Sequence, residues 1–523
     1  MEKKSALINN QNIEITPEFQ TLYNEINNNP DKHFFITGQA GTGKTTFLKW
    51  FRDKISAKKN VAVVAPTGLA AINVQGETIH KFFKINLAVK DQAYMEMLKI
   101  RINKFESYRQ LKKTLEHLDI LIIDEISMVR ADTFKTVEYI LSDRKIQMIL
   151  FGDICQLPPI VTAGKENALF KDLSMSEKEI FFSLYKNDYH KTDFEAKFFF
   201  SYYKNKDGYK AFYDKFNVRT LTKNFRQTND KNYLSILNKI RHGKNNITSN
   251  DLNILNSRVI TDKEKINSLY TIVTPQKIIA NNINNKKLNE IQKPFILYKA
   301  TYEELTKVKK QKNYDKEIFT LEADEQNEQD EQYGMELKPI NIEKMKPSDR
   351  KEKIENYFQA PVELILKEGA KVMILKNGKN NSYFNGSVGI VSGLFDNKIQ
   401  VTLQNNKTVF VEKETWEKLG YQYNSQTKKL ESITVAQYMQ YPLMLAWAMT
   451  IHKSQGQTFS NLFIDLGNGI FENGQLYVAL SRIKTIDGLY LSRKIKPSDI
   501  KTDNFICEFD IKLMEHKTEQ LKK

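Results

Sequence analysis

The amino-acid sequence predicts an α/β protein built on parallel sheets, and three observations carry that reading. Four apolar runs, HFFIT (33–37), VAVVAPT (61–67), LDILIIDE (118–125) and IQMILFGD (146–153), alternate with amphipathic, helix-like stretches, as buried parallel strands do. A second pattern of the same kind starts at NSLYTIVTPQ (267–276), breaks off and resumes at NLFIDLGNG (461–469), so something is inserted between its halves. Each of the first four runs ends in residues suited to phosphate, Mg²⁺ or polar contacts, and ligands collect at the carboxyl ends of strands in such sheets. At 523 residues the chain is long enough for two to four domains.

After the first strand, GQAGTGKTT (38–46) fits G-x-x-x-x-G-K-[ST], and TFLKWF beyond it reads as a helix. The glycines of a strand-to-helix turn reach backbone angles closed to other residues, which turns successive N–H groups inward around phosphate at the positive end of a helix. Gly38, Gln39, Ala40, Gly41, Thr42, Gly43, Lys44, Thr45 and Thr46 are therefore the expected nucleoside-triphosphate cradle. Lys44 supplies a mobile cation for the β- and γ-phosphates, and the Thr45 hydroxyl is a ligand for Mg²⁺.

The third strand ends in Asp124 and Glu125 after four apolar residues, the Walker B arrangement. Asp124 is expected to hold Mg²⁺ through its water shell, and Glu125 to orient or deprotonate the attacking water. The fourth strand runs into FGDICQLPPI, where the amide of Gln156 can donate and accept at once and so bridge a γ-phosphate or water to a second domain. Two distant arginines, Arg226 in LTKNFRQ and Arg482 in GQLYVALSR, belong with the second α/β half. Supplied across a cleft, such arginines stabilise charge on the transferring phosphoryl group.

Two donor-rich segments are suited to phosphate oxygens of a polyanion. APTGLAAINVQGETIHKFF (65–83) offers Pro66, Thr67, Gly68, Thr78 and His80, and PLMLAWAMTIHKSQGQTF (442–459) offers Thr450, His452, Lys453, Ser454 and Gln455. For each histidine, a satisfied core position and a nucleic-acid contact remain open. Lys+Arg 79 against Asp+Glu 63 gives a net charge of +16, which agrees with a polyanionic partner. Cys155 and Cys507, the two cysteines, are too few for a disulfide framework and lack metal-knuckle spacing. The absence of a signal-like N-terminus or a ~20-residue apolar run predicts a soluble, cytoplasmic protein with no membrane partner.

Residues 85–117, charged and helix-prone, interrupt the first sheet as a small insertion. The aromatic-rich stretch 174–213 reads as bridging helices with ordinary core rings, with base stacking as the alternative. Between the halves of the second pattern, a charged tract including KVKKQK and the acidic LEADEQNEQDEQ suits a solvated loop, and the short β-like runs AKVMILKNG, GSVGIVSG, KIQVTL and KTVFVEK suggest a small barrel at about 385–437.

Taken together, the motifs resemble those of a superfamily-one helicase of the RecD-like branch, nearest the petite-integration-frequency (PIF) DNA helicases. GQAGTGKTT, APTGLAA with ETIH, IIDEISMV, GDICQLPP, LTKNFRQ, AWAMTIHKSQGQTF and YVALSR follow the helicase order, and Gln20 in ITPEFQ resembles the adenine-reading glutamine. The resemblance implies two RecA-like domains with ATP and Mg²⁺ in the cleft, and adds Gly456 and Gln457 to the ATP site. It implies a wedge within the first domain (1–215, insertion 85–117) and a Src-homology-three-like barrel (385–437) within an insertion (290–437) of the second (216–523). It further implies 5′-to-3′ movement on single-stranded DNA, action at duplex junctions, a monomer when free, and replication or repair partners. The connection DTFKTVEYILSDRKIQMILFGD lacks the Phe-Gly-Gly element of eukaryotic members and points to a bacterial or phage-type relative. A partner-dependent translocase subunit and a P-loop phosphotransferase are the competing readings.

Overall fold

The computed structural model describes residues 15–86, 92–159, 198–201, 209–260, 270–309, 333–355, 357–378, 382–467 and 469–520. The first sheet comprises β1 (His33–Gly38), β2 (Val61–Ala65), β3 (Glu77–Thr78), β4 (Ile120–Ile123), β5 (Gln147–Phe151) and β6 (Phe216–Leu221). All are parallel, in the order β3-β2-β4-β5-β1-β6. The four apolar runs are its central strands, and their burial on both faces explains why they read as continuous rather than alternating. The helix Pro17–Asn28 begins where the Thr16 hydroxyl accepts the Phe19 N–H at 3.2 Å and Pro17 occupies the first turn.

The first domain does not end at 215. β6 pairs with β1 along its whole length, from His33↔Phe216 to Gly38↔Leu221, and carries the sheet through Leu221. The C-terminal helix Asn504–Gln520 also returns to this domain: Ile506, Phe509 and Leu513 join its core, and Phe509 stacks on Phe200 with centroids 3.9 Å apart. Each side chain so buried contributes about 1.5–3 kcal/mol, which fastens the chain end to the domain where it began. In the aromatic-rich stretch 174–213, Phe198, Phe199, Phe200, Tyr209 and Phe212 are core rings; residues 174–197 and 202–208 lie outside the described residues. The 85–117 insertion contains the helices Gln92–Lys104 and Arg109–His117, whose Leu98, Ile102, Leu111 and Leu115 are buried in the same core.

The second sheet opens with β7 (Thr271–Thr274), and the chain then leaves it for a long insertion. There β8 (Phe295–Lys299), β9 (Thr301–Lys309), β10 (Tyr333–Ile340), β11 (Glu363–Lys367), β12 (Lys371–Ile374), β13 (Val388–Leu394), β14 (Ile399–Leu403), β15 (Thr408–Val411), β16 (Glu414–Asn424), β17 (Lys429–Gln440) and β18 (Leu443–Leu445) follow. The chain returns as β19 (Ala448–Thr450), β20 (Leu462–Ile464) and β21 (Leu489–Leu491), giving a parallel sheet ordered β19-β7-β20-β21.

The expected barrel limits, 385–437, do not match the strand pairing. The antiparallel sheet containing β13 and β14 is ordered β15-β14-β13-β12-β18 and so begins and ends outside those limits. The long hairpin β16–β17 starts within them, runs on to Gln440 and joins a different sheet, β10-β9-β17-β16. That hairpin reaches the first domain: the Tyr421 hydroxyl accepts the Val63 N–H at 2.8 Å, and Tyr423 stacks on His117 at 3.6 Å. Among the described residues no helix is long and apolar enough to cross a membrane.

Candidate nucleotide site and nucleic-acid track

β1 delivers the chain into the phosphate loop, and the helix Lys44–Ile55 leaves it. Gly41 (φ 87°) and Gly43 (φ 82°) hold the left-handed angles the turn requires. Lys44 Nζ donates to the carbonyls of Gly38 at 2.7 Å and Gln39 at 2.9 Å, so the cation lies folded over its own loop. The loop is braced from outside: Asn224 Nδ2 donates to the Ala40 carbonyl at 3.0 Å, and the Phe225 N–H to the Gly41 carbonyl at 2.8 Å. A Cβ on Gly41 would stand 2.8 Å from Arg226 Cβ, so this glycine admits the arginine-bearing segment.

Asp124 and Glu125 follow β4, and both carboxylates are deeply placed. Burial, reinforced by the Glu125 charge, pushes Asp124 up to about 7, and burial likewise raises Glu125. Glu125 adopts φ 48°, ψ 46°, a left-handed conformation that costs a non-glycine residue about 1–3 kcal/mol and recurs at functional sites. The two adjacent carboxylates supply hard-oxygen donors of the kind Mg²⁺ takes. Among the described residues no cluster of three or more His, Cys, Asp or Glu offers a full cage for a metal ion.

The two arginines predicted from sequence meet in the structure. Arg226 Nε donates to Thr458 Oγ1 at 2.9 Å and its Nη1 to the Ser481 carbonyl at 3.0 Å. Arg482, 2% exposed, donates to the Val478 carbonyl at 2.9 Å and to Ser481 Oγ at 2.7 Å. Among the described residues both guanidinium groups are hydrogen-bonded to neutral acceptors. Burial and the neighbouring Arg226 pull Arg482 down to about 9, the signature of a pocket short of negative charge, with Glu125 acting in the opposite sense. Two desolvated guanidinium groups without a bonded anion form a preorganised site for one.

Gln156 links this centre to the second donor-rich segment. Its Nε2 donates to Asp153 Oδ2 at 3.2 Å, and its Oε1 accepts from Gln455 Nε2 at 3.4 Å. Several participants escaped the sequence reading. Tyr477 accepts the Ala40 N–H at 3.0 Å and donates to Asp153 Oδ2 at 3.1 Å, joining the second domain to the phosphate loop. Asp153 is itself bonded by Arg241, which also grips Asp510 of the C-terminal helix at 2.7 Å. Burial opposes ionisation of Asp153, but Arg241 and Lys44 outweigh it and hold the carboxyl below its usual range. The signal for Asp153 was a carboxylate closing an apolar strand, as at Asp124; for Tyr477 it was an aromatic residue five positions before Arg482.

Not every expected residue lies where the motif reading put it. Gln20 donates to Asn24 on its own helix, while its neighbour Phe19 is the residue that lies against Gly43. The Gln457 amide is directed at Asn385 at 3.4 Å rather than at the phosphate loop, nothing lies within 4 Å of a Cβ built on Gly456, and Thr458 is the residue that reaches Arg226.

The two donor-rich segments take matching positions at strand ends. Thr67, after β2, caps a short helix by accepting the Ala70 N–H at 3.2 Å, and Thr450, ending β19, does the same for Lys453 at 3.2 Å. Pro66, Thr67, His80, His452, Lys453 and Gln455 are at least partly exposed. Ser454 is fully buried and donates to the Ile451 carbonyl at 2.7 Å, so it holds the turn and presents no free surface. Gly68 and Thr78 are covered: the Tyr357 ring lies where a Gly68 Cβ would meet it at 2.6 Å, and its hydroxyl pairs with Thr78 Oγ1 at 2.9 Å.

Tyr357 therefore sits over the first-domain half of the track. Its hydrogen bond to Thr78 contributes about 1 kcal/mol, so Tyr357→Ala is expected to tighten binding of a single strand about fivefold in a fluorescence-anisotropy titration. Weaker binding by the variant would make Tyr357 a contact for the strand instead of its cover.

The comparisons with known proteins agree with this geometry. A model of the PIF1-like helicase family matches residues 10–186. The chain is 27% identical over 489 residues to the ATP-dependent DNA helicase Pif1 of Campylobacter jejuni, covering 91% of this chain and 93% of that protein. Unliganded Pif1 from a Bacteroides species is 28% identical, with 95% of this chain and 96% of that chain covered and a TM-score of 0.68. Bacteroides Pif1 in complex with ADP-AlF3 and single-stranded DNA is 30% identical, with coverage of 96% and 97%, but its TM-score is 0.53. The ordered motifs, the shared two-sheet fold and 30% identity across nearly the whole of a solved relative place this chain in the PIF1-like helicase family.

Proposed function

We propose that the protein is an ATP-dependent DNA helicase that moves 5′-to-3′ along single-stranded DNA and separates duplex at junctions. The observation that carries this reading is the fully buried Arg482 with the half-buried Arg226 beside it, next to the phosphate loop and, among the described residues, hydrogen-bonded to neutral acceptors. In the proposed cycle Lys44 exchanges its loop carbonyls for phosphate oxygens. Glu125 orients water in line with the γ-phosphate and takes its proton, and Arg226 and Arg482 stabilise charge on the transferring group. Mg²⁺, held by Thr45 and Asp124 with phosphate and water, would neutralise charge on the β- and γ-oxygens. The Gln156–Gln455 contact couples that centre to the strand held along Thr67, His80, Thr450, His452 and Lys453, so cleft closure moves one domain along DNA relative to the other.

Family membership sets aside the small-molecule phosphotransferase, and polarity follows from the family resemblance. The bacterial relatives support the cytoplasm of a bacterial or phage-infected cell as its setting. Unwinding of 5′-tailed, 3′-tailed and blunt duplexes by the pure protein tests the proposal: displacement confined to 5′-tailed substrates is expected. Hydrolysis on DNA without displacement would make it a translocase subunit that needs a partner. Affinity for a single strand is expected to fall linearly in log K against log[salt] with little dependence on base sequence, because the track donors address phosphate; a salt-independent affinity would contradict that assignment.

A further inference from the structure

Beside Thr458 lies a cavity of about 260 Å³, lined by residues of the second parallel sheet and of the five-stranded antiparallel sheet. Pockets for drug-sized ligands and whole cofactors are mostly larger, about 300–1,000 Å³. The lining contains no carboxylate. It offers the amides of Gln404 and Asn461, the cation Lys484, and at the mouth Phe384, 54% exposed. Lys484 is exposed and forms no ion pair among the described residues. Amides donate and accept together, as base edges require, an exposed ring offers a stacking face, and an uncompensated cation suits phosphate.

We infer that this cavity receives one nucleotide of the bound single strand, with the base stacked on Phe384, its edge against Gln404 and Asn461, and a flanking phosphate on Lys484. The inference rests on the helicase reading and extends it to a site outside the two donor-rich loops. The cavity is also wired to the catalytic centre. Thr458 forms part of its wall and accepts Arg226 Nε at 2.9 Å, so an occupant bears on the residue that holds the phosphate-sensing arginine. The segment 384–387 is fitted closely to Gln457, two positions beyond the donor Gln455: a Cβ on Gly386 (φ 89°) would stand 2.6 Å from Gln457 Oε1, and Gln457 donates to Asn385.

Photocrosslinking of the wild-type protein to an oligothymidylate carrying single 5-iodo-deoxyuridine substitutions, followed by peptide mapping, tests the site without a variant. An adduct on Phe384 is expected. In titrations, Phe384→Ala is expected to weaken affinity roughly tenfold, as loss of one base–aromatic stack does, and Lys484→Ala to lower the salt slope by about one. Adducts confined to 65–83 and 442–457, with normal DNA stimulation of ATP hydrolysis, would overturn the cavity assignment and leave the helicase reading intact. Absence of DNA stimulation in the wild-type protein would remove both.

Discussion

Arg482→Ala is expected to lower kcat for ATP hydrolysis by roughly 10³-fold or more, in the range found when arginine fingers are removed. Arg482 is set apart by its lack of a hydrogen-bonded carboxylate among the described residues. Its guanidinium is buried and bonded only to the Val478 carbonyl and Ser481 Oγ, so truncation strands no partner ion, and the fold is expected to survive. What disappears is charge prepared for an anion that arrives with the nucleotide. Arg226→Ala should behave alike, because Ser481 joins the two groups and both face the same deficit of negative charge. Arg482→Lys keeps the charge but loses the planar fork and should recover only part of the rate. A full hydrolysis rate for Arg482→Ala, measured with saturating oligonucleotide, would remove the two-domain cleft from the mechanism.

Lys44→Ala and Glu125→Gln are expected to abolish turnover in different ways. Lys44 meets phosphate in the ground state, so its loss should weaken nucleotide affinity as well as rate. Glu125 acts on water, and its amide isostere should retain affinity while kcat falls roughly 10²–10⁴-fold, the range for removing a general base. Gln can also occupy the left-handed backbone at 125 no worse than Glu, which leaves the loop geometry unchanged. Equilibrium binding of a fluorescent ATP analogue beside steady-state turnover separates the two. Equal loss of nucleotide affinity in a folded Glu125→Gln protein would count against its role on water.

Much of the nucleotide site could be read from the chain because its parts are local. The phosphate loop and the Asp124–Glu125 pair each carry their mechanism within a few residues of a buried strand, and the structure sets them at the ends of β1 and β4. The interrupted second sheet was legible for the same reason, as two apolar parallel-type strands separated by a different rhythm. What escaped was pairing at long range. β6, FNVRTL, carries polar residues at an edge and looks unlike the central strands, so the first domain seemed to end before it. β16 and β17 have the turn spacing of a barrel hairpin, but spacing cannot say which sheet a strand joins; contacts with Val63 and His117 on another domain decide that. Tyr477 reaches Ala40 across 437 positions, and no local pattern announces such a contact. Tyr357, over Thr78, is equally silent in sequence.

The central claim is that a DNA strand along the two domains completes an ATPase centre shared between them. Steady-state ATP hydrolysis by the wild-type protein, with and without a saturating single-stranded oligonucleotide at low salt, tests it most directly. Stimulation of about tenfold or more, equivalent to at least ~1.4 kcal/mol of transition-state stabilisation, is predicted, and it should be lost in Arg482→Ala. Equal rates with and without DNA would contradict the account.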